Sequence, residues 1–322
     1  MANGDGSTVL LISDNVWNAH RDRIEKIAPG IRPLVYVGDE PFPDDVLDTV
    51  DIAFFSSDCW PERTRGIILS IMNAKNLQWM HTFSAGVDSP FFVQLMERGV
   101  SLTNSSGATA SPIAQTAILY MLALSRDMRT WMRNQDEKKW QQHRIDELDG
   151  ASLAVIGMGP IGMEIARIAV AMNMKVEAVR RAAKGDEPCP TFPMSELHQV
   201  LGRADWVASA LPLTPDTRHV FDAGAFAAMR TGARFINVGR GELVDEDALV
   251  AALRAGHLAG AGLDVFATEP LPADSPLWEM DNVIVTPHNS GSSTTSNQRS
   301  EAIFLDNLER WANGTPLNNL VN

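Results

Sequence analysis

Short apolar runs alternate with stretches of helical periodicity along nearly the whole chain. In the first third, apolar runs occupy residues 8–13, 34–37, 52–55 and 77–83, and helical stretches separate most of them. Continuous apolar runs of this length are typical of strands buried on both faces of a parallel sheet. The pattern therefore predicts an α/β domain in which helices cover a parallel sheet.

A second series of apolar runs follows after residue 150. These runs occupy residues 153–156, 176–179, 206–211, 233–238, 261–266 and 283–285, and helical stretches such as 245–255 lie between most of them. Six strands connected in this way are the number expected of a doubly wound dinucleotide-binding fold. We therefore predict an α/β protein built from doubly wound parallel sheets.

The sequence GMGPIG connects the first strand of this second series to a helical pattern. Gly157 permits a sharp turn, Gly159 lets the backbone approach a pyrophosphate, and Gly162 allows the helix to pack close to the strand. Pro160 and Ile161 form the first helical turn, whose free N–H groups and positive dipole end attract phosphate. A glycine-rich turn without a ligand is the alternative, which the strand–helix–strand context disfavours.

Composition and charge narrow the class of protein. The chain has 322 residues, of which 45% are hydrophobic, and a net charge of -13, which argues against nucleic acid and anionic membrane surfaces as partners. Cys59 and Cys189 lie far apart and suggest neither a disulfide framework nor a metal site. The N-terminus lacks the basic flank and long apolar core of a signal peptide, so we expect a cytoplasmic protein.

Three polar side chains follow successive strands near the C-terminal end of the second series: Arg240, Glu269 and His288. Histidine has an unperturbed pKa of about 6.5, which suits proton exchange near neutral pH. A neighbouring carboxylate orients an imidazole, and a guanidinium can hold a carboxylate through two parallel hydrogen bonds. Each residue alone has a structural explanation, but three at adjacent strand ends favour an active site.

Two segments carry weaker signals. The small-residue turn 84–88 could bind an anion through its backbone N–H groups, although an ordinary turn before a helix at 90–98 is the simpler interpretation. Residues 111–125 predict a helix that is apolar on nearly all sides and therefore buried. The charged segment after it carries Trp131, Met132 and Trp140, which fits either a contact arm or a solvated helix.

Several of these motifs together resemble the D-isomer-specific 2-hydroxyacid dehydrogenase family, and in particular its NADP-linked glyoxylate/hydroxypyruvate reductases. The matching sequences, in chain order, are SAGVD, GMGPIG, ALPLTPDTRHVF, NVGRGELVDEDAL, GAGLDVFATEPLP and NVIVTPH. The resemblance extends over nearly the whole length. It implies a flavodoxin-like substrate domain (residues 1–106 and 293–322) and a Rossmann dinucleotide-binding domain (residues 107–292), with a cleft between them. It also implies a homodimer formed through a helix and arm at 111–149.

The resemblance assigns roles to individual residues. It implies that Arg240 binds the substrate carboxylate, that His288 is the acid/base and that Glu269 is its partner. The turn Ala85-Gly86-Val87 becomes a second carboxylate contact, in place of the simpler interpretation above. Further dinucleotide contacts are implied at Leu211, Pro212, Thr217, Val238, Gly239, Asp264 and His288.

The choice of dinucleotide depends on the residues after the second strand of the dinucleotide domain. Enzymes that use NAD usually carry an acidic residue there, which binds the ribose 2′-hydroxyl. This chain has Arg180 and Arg181 instead. Arginines can bind a 2′-phosphate, so we expect NADP(H); solvated loop charges are the alternative, which leaves NAD(H) open.

The expected activity is the reversible, NAD(P)H-dependent reduction of a small 2-keto acid to the D-2-hydroxy acid, with glyoxylate or hydroxypyruvate as candidate substrates. Two alternatives stay open at this point. Dinucleotide-sensing corepressors share the fold and can retain the same polar residues, and a phosphite dehydrogenase would also fit. Formate is disfavoured, because the formate dehydrogenases of the superfamily carry Gln where this chain has Glu269.

Overall fold

The computed structural model describes residues 7–321, which form two compact α/β units. The first six residues, part of the stretch on which the signal-peptide expectation rests, lie outside the described residues, as does Asn322. The first unit comprises residues 7–109 and 293–321, and the second comprises residues 110–292. The sequence-based boundaries were 106/107 and 292/293.

The first unit is built on a five-stranded parallel sheet with the strand order β2-β1-β3-β4-β5. This is the flavodoxin-like order, so that part of the predicted fold class is confirmed. Its elements are β1 (Val9–Ser13), α1 (Asp14–Ile27), β2 (Arg32–Tyr36), α2 (Asp44–Leu47), β3 (Ile52–Phe55), α3 (Thr64–Asn73), β4 (Trp79–Thr82), α4 (Pro90–Glu97), β5 (Ser101–Asn104) and the C-terminal helix Ser296–Ala312.

The C-terminal helix completes the core on one face of this sheet. The Phe304 ring stacks on Phe54 of β3, with ring centroids 4.3 Å apart, and lies 5.8 Å from the centroid of Trp79. Leu305 and Leu308 of the same helix are fully buried. The first unit therefore takes its hydrophobic core from both ends of the chain.

Strand β5 was not among the apolar runs because three of its four residues are polar. The Thr103 hydroxyl accepts a hydrogen bond from the indole N–H of Trp79 at 2.8 Å and also bonds His81 Nδ1 at 2.8 Å. Its polar atoms are thus satisfied inside the sheet, as buried polar groups must be. A strand of this kind has no apolar pattern by which a sequence could reveal it.

The second unit contains a seven-stranded parallel sheet with the order β12-β11-β10-β9-β6-β7-β8. Its elements are α5 (Ala110–Ser125), α6 (Met128–Asp136), β6 (Ser152–Ile156), α7 (Pro160–Ala171), β7 (Lys175–Val179), β8 (Thr191–Phe192), α8 (Leu197–Leu201), β9 (Trp206–Ser209), α9 (Ala223–Ala228), β10 (Ala233–Asn237), α10 (Glu246–Arg254), β11 (Leu258–Leu263) and β12 (Val283–Val285).

This order is that of a doubly wound dinucleotide fold extended by one strand, so the Rossmann prediction is confirmed. All six predicted strands are present, and the seventh is β8, whose two residues are too short to give a pattern. The sheet reverses its direction of growth between β6 and β9, because strands are added to one side before this point and to the other side after it. Ligands of such sheets bind at the carboxyl ends of the strands at that switch point.

Helix α5 packs with α7 against one face of the second sheet. Ala114, Ala117, Tyr120 and Met121 are buried there, as the apolar composition predicted, whereas Leu119 on another side of the helix is exposed. The helix thus has an apolar side chain that its own unit does not cover.

His81 gives the first unit a pH-dependent stability. Burial lowers the pKa of its imidazole from 6.5 to about 3, and its two ring nitrogens bond Thr103 and Ser105. The unfolded chain takes up a proton below pH 6.5 whereas the folded one does not, so stability falls as the pH decreases from 6.5 towards 3. We expect urea denaturation to show a loss of about 2–3 kcal/mol from this residue between pH 6.5 and 4.5.

The matched variants are His81→Gln, which should flatten this pH dependence, and His198→Gln, which alters an exposed histidine and should leave it unchanged. A His81→Gln protein with the wild-type slope would show that other groups cause the loss.

Candidate active site

The glycine turn after β6 has the geometry of a phosphate-binding loop. Gly157 adopts φ +100°, and a β-carbon there would lie 2.7 Å from the carbonyl oxygen of Ala210, so only glycine fits. A β-carbon at Gly162 would overlap the Gly157 carbonyl, whereas the position at Gly159 is open, with nothing within 4 Å. Helix α7 begins at Pro160, and its first N–H groups have no acceptor within the helix. The turn therefore leaves room and donors for a pyrophosphate.

Two more turns lie beside this one: the turn of Ala210 and Leu211 packs against Gly157, and the turn of Gly239 packs against Leu211. A β-carbon at Gly239 would lie 2.8 Å from the carbonyl oxygen of Leu211, and the preceding Val238 is buried. Thr217 folds back on its own loop, because its hydroxyl donates to the Pro212 carbonyl at 2.7 Å and accepts from the Thr214 N–H at 2.8 Å. The predicted contacts at 211, 212, 238 and 239 thus lie at strand ends beside the glycine turn, while the Thr217 hydroxyl is used internally.

Ser209, the last residue of β9, offers an independent sign of a ligand. Its hydroxyl is fully buried and has no hydrogen-bond partner among residues 7–321. A buried polar group without a partner is costly unless a water or ligand satisfies it. With the open approach at Gly159, this orphaned hydroxyl at the switch point fits a bound dinucleotide.

The two arginines after β7 have different surroundings. Arg180 Nη1 forms a 2.5 Å ion pair with Glu187, whose side chain is only 4% exposed. Glu187 also accepts hydrogen bonds from the backbone N–H groups of Lys184 and Gly185, both at 2.8 Å. These bonds, led by that from Lys184, lower the pKa of Glu187 to about 2 against the opposing effect of burial. Arg181 is exposed and bonds no described residue.

The loops after β10 and β11 are in direct contact, which brings the segment of Arg240 against that of Glu269. A β-carbon at Gly241 would overlap the backbone of Phe266, so the two chains touch without room for a side chain. Arg240 itself is half-buried, and its Nη1 donates to the Gly239 carbonyl at 2.9 Å. The amide of the buried Asn237 clamps this turn, since it donates to the Arg240 carbonyl at 2.9 Å and accepts from the Gly239 N–H at 3.1 Å.

His288 and Glu269 form the pair that the sequence suggested. His288 Nδ1 lies 2.7 Å from Glu269 Oε2, and the other carboxylate oxygen accepts from the Phe266 N–H at 3.0 Å. With the carboxylate as acceptor, Nδ1 carries the proton of this bond. Nε2 is left to exchange a proton with a ligand, and the imidazole side chain is 47% exposed to receive one.

Asp264 is buried and holds the segment that carries His288. Its carboxylate accepts hydrogen bonds from the hydroxyl of Thr286 at 2.5 Å and from the N–H groups of Asn289 at 3.1 Å and Ser290 at 3.0 Å. Its backbone carbonyl accepts from the His288 N–H at 2.8 Å. His288 has φ +50°. Residues other than glycine rarely adopt this backbone conformation, so surrounding contacts must maintain it. Asp264 supplies those contacts.

In the first unit, the turn after β4 has features of an anion-binding turn. The Ser84 hydroxyl donates to the Gly86 carbonyl at 2.8 Å, and Asn104 donates to the Ala85 carbonyl at 2.8 Å. The N–H groups of Ala85, Gly86 and Val87 make no hydrogen bond within the described part of the chain. These three N–H groups are therefore available to donate hydrogen bonds to a ligand.

Sequence reasoning missed four residues that shape this region: Glu187, Ser209, Tyr120 and Thr286. Glu187 and Ser209 carry no motif that would mark them. Thr286 precedes Pro287 in the NVIVTPH motif, but the motif assigned a role only to the histidine. Tyr120 lies in a helix whose apolar composition pointed to packing alone.

No group of three or more His, Cys, Asp or Glu side chains in residues 7–321 could hold a metal ion. Over the same residues, no helix is both long and apolar enough to span a membrane.

Comparison with known proteins gives one consistent family. Residues 118–290 match the family described as "D-isomer specific 2-hydroxyacid dehydrogenase, NAD binding domain". A glyoxylate/hydroxypyruvate reductase B from Salmonella schwarzengrund is 34% identical over 81% of this chain and 82% of its own length. A D-3-phosphoglycerate dehydrogenase from Archaeoglobus fulgidus is 32% identical over 78% of this chain. That protein is longer, and the match covers 48% of its length.

Solved structures agree along nearly the entire chain. A D-isomer specific 2-hydroxyacid dehydrogenase from Xanthobacter autotrophicus, in complex with NADPH and MES, has a TM-score of 0.78 and 31% identity and covers 98% of both chains. An NADPH-dependent glyoxylate/hydroxypyruvate reductase from Sinorhizobium meliloti, in complex with NADP and sulfate, has a TM-score of 0.77 and 26% identity, again with 98% of both chains covered.

Proposed function

Since the chain belongs to the D-isomer-specific 2-hydroxyacid dehydrogenase family, we propose that it reduces a small 2-keto acid, such as glyoxylate or hydroxypyruvate, to the D-2-hydroxy acid. The family makes it an NAD(P)-dependent 2-hydroxyacid oxidoreductase. The observation that carries the proposal is the 2.7 Å contact between His288 and Glu269 at the carboxyl edge of the sheet that also bears the glycine turn. A proton donor at that edge is what reduction of a ketone requires.

The chain's own groups account for binding and proton transfer. Arg240 holds the substrate carboxylate through two parallel charge-assisted hydrogen bonds and faces the growing charge on the keto oxygen. Glu269 fixes the imidazole so that Nε2 of His288 gives its proton to that oxygen. The turn Ala85-Gly86-Val87 remains, from the family resemblance, a predicted second contact for the carboxylate, and its three unbonded N–H groups favour that role.

A bound nicotinamide dinucleotide supplies the hydride for this reaction. The glycine turn and the first N–H groups of α7 would hold its pyrophosphate. The turns at Leu211-Pro212 and Val238-Gly239 would line its path across the switch point, and the Ser209 hydroxyl would meet a polar group that it otherwise lacks. Asp264 stays a predicted dinucleotide contact, and its carboxylate also accepts three hydrogen bonds that hold the segment of His288.

We further propose NADP(H) as the preferred dinucleotide, with Arg181 as the main contact of the 2′-phosphate. Arg181 is exposed and its charge is not neutralised, whereas the charge of Arg180 is balanced by Glu187. The related structures with bound NADPH and NADP support this choice. NAD(H) is the alternative that the cofactor experiment below would reveal.

We also propose that the protein is a homodimer formed through residues 111–149. Exposed apolar side chains are concentrated there: Leu119 (59% exposed), Met128, Trp131, Met132 (60%), Trp140 (98%) and Ile145. Residues 139–148 form neither helix nor strand, as expected of an arm that needs a partner surface. A concentration of exposed apolar side chains in one segment favours a protein interface there, and a second copy is the occupant that the family resemblance implies. Cytoplasmic location and the absence of a nucleic-acid partner stay predictions from the sequence.

The central experiment is a panel of 2-keto acids assayed with NADPH, in the wild type and in His288→Ala. We expect wild-type turnover with a D-configured product, and a loss of kcat of about 10²- to 10⁴-fold in the variant, because general acid catalysis contributes that much. Dinucleotide binding, measured by fluorescence titration, should be nearly unchanged.

His198→Ala, an exposed histidine of the same unit, is the matched control and should retain full activity. Joint loss of turnover and dinucleotide binding in His288→Ala would make His288 structural. Binding of NADPH by the wild type without turnover of any keto acid would favour the corepressor class, and turnover of phosphite alone would favour a phosphite dehydrogenase.

The dinucleotide preference can be measured with Arg181→Ala. Loss of one charge-assisted contact should weaken NADPH binding about ten- to a hundredfold and leave NADH binding unchanged. Arg167→Ala removes an exposed arginine of α7 as the control. An equal effect of Arg181→Ala on both dinucleotides, or none on either, would reject the assignment.

The dimer can be tested by light scattering coupled to gel filtration. We expect the wild type to have about twice the 35.2 kDa of one chain, and Leu119→Asp to shift the protein to the monomer because it places a charge in an apolar interface. Val37→Asp changes an apolar side chain that is 67% exposed in the first unit and should leave the dimer intact. A monomeric wild type, or a dimeric Leu119→Asp, would show that this face is not the interface.

A further inference from the structure

The hydroxyl of Tyr120 takes part in a chain of hydrogen bonds that ends at the segment carrying His288. It contacts Thr286 Oγ1, and Thr286 in turn donates to Asp264 Oδ1 at 2.5 Å. Asp264 then accepts from the N–H groups of Asn289 and Ser290, the two residues that follow His288. Helix α5 is thus connected through three side chains to the residues that follow the histidine.

The direction of these bonds follows from the number of protons. A threonine hydroxyl has one proton, and the Asp264 carboxylate can only accept. Thr286 therefore donates its hydroxyl proton to Asp264 and must accept a hydrogen bond from the Tyr120 hydroxyl. Tyr120 can donate only while it is protonated, and burial raises the pKa of its phenol well above the usual value. The chain of donors thus runs in a single direction from the helix to the carboxylate.

The position of the tyrosine ring is also fixed. The ring lies against the backbone of β11 at Gly262, where a β-carbon would lie 2.6 Å from both Cβ and Cγ of Tyr120. Tyr120 is 1% exposed, so its ring is packed among protein atoms and not in contact with bulk solvent. The packed ring thus presents its hydroxyl to Thr286 Oγ1.

We propose that Tyr120 is a positioning residue for the reduction: through Thr286 and Asp264 it holds the strained His288 backbone so that the imidazole meets its substrate. This rests on the proposed role of His288 as acid. Because His288 has φ +50°, its segment depends on outside contacts, and Tyr120 makes the outermost of them. The phenol touches no reacting atom.

The test compares Tyr120→Phe, Thr286→Val and the double variant. Tyr120→Phe keeps the ring over Gly262, so it should fold and bind NADPH within about twofold of the wild type, with an unchanged KM. Loss of one buried hydrogen bond should lower kcat about fivefold. In the Thr286→Val background the tyrosine hydroxyl has lost its acceptor, so adding Tyr120→Phe should reduce kcat no further.

A readout that does not depend on activity is amide hydrogen exchange in residues 286–290, which should be faster in Tyr120→Phe. The other tyrosine provides the matched control: the Tyr36 hydroxyl is buried without a partner among residues 7–321, and Tyr36→Phe should change neither kcat nor this exchange.

Unchanged kcat or unchanged exchange in Tyr120→Phe would overturn the proposal, as would independent effects of the two substitutions. These outcomes are separate from a failure of the proposed function, which would appear as turnover that survives in His288→Ala.

Discussion

The close approach of three backbone turns at the switch point is the constraint on which the second unit depends. Gly157 lies against the turn of Ala210 and Leu211, and Leu211 lies against Gly239, each at a distance that excludes a side chain. The first turn is the proposed pyrophosphate-binding turn, and the last leads directly into Arg240. Because these turns touch one another, the same contacts would set both the proposed place of the dinucleotide and the proposed place of the substrate carboxylate.

A buried carboxylate, that of Asp264, plays the corresponding part at the same carboxyl edge of the sheet, after β11. Asp264 gathers Thr286 and the N–H groups after His288, and it keeps a histidine in a backbone conformation that would otherwise relax. Glu269 then orients the imidazole from the next loop. His288, the proposed acid, is therefore held twice, once through its backbone and once through its ring, and the proposed site would be preorganised before a ligand binds.

What a sequence can reveal here depends on how local the physical cause is. The glycine turn, the parallel strands and the pairing of His288 with Glu269 follow from short motifs at strand ends, and all three are present. Strand β5 was not predicted, because it is built mostly of polar residues such as Thr103, whose hydroxyl is hydrogen-bonded across the sheet. Arg180 and Glu187 pair across a separation of seven positions, and a row of charged residues in the sequence does not show which of the charges are neutralised. Tyr120 and Gly262 lie far apart in the sequence, so only the structure shows that the tyrosine side chain packs on the backbone at the glycine.

The two-part composition of the first unit also determines the order in which the protein can fold on the ribosome. Residues 110–292 are synthesised completely before Phe304 emerges, so the second unit can finish folding while the first still lacks one covering helix. Until then the nascent sheet displays Phe54 and Trp79 without their stacking partner. If translation stalls before Phe304 is synthesised, the second unit is folded while the first unit exposes apolar side chains. Chaperones and proteases recognise such a partly folded chain.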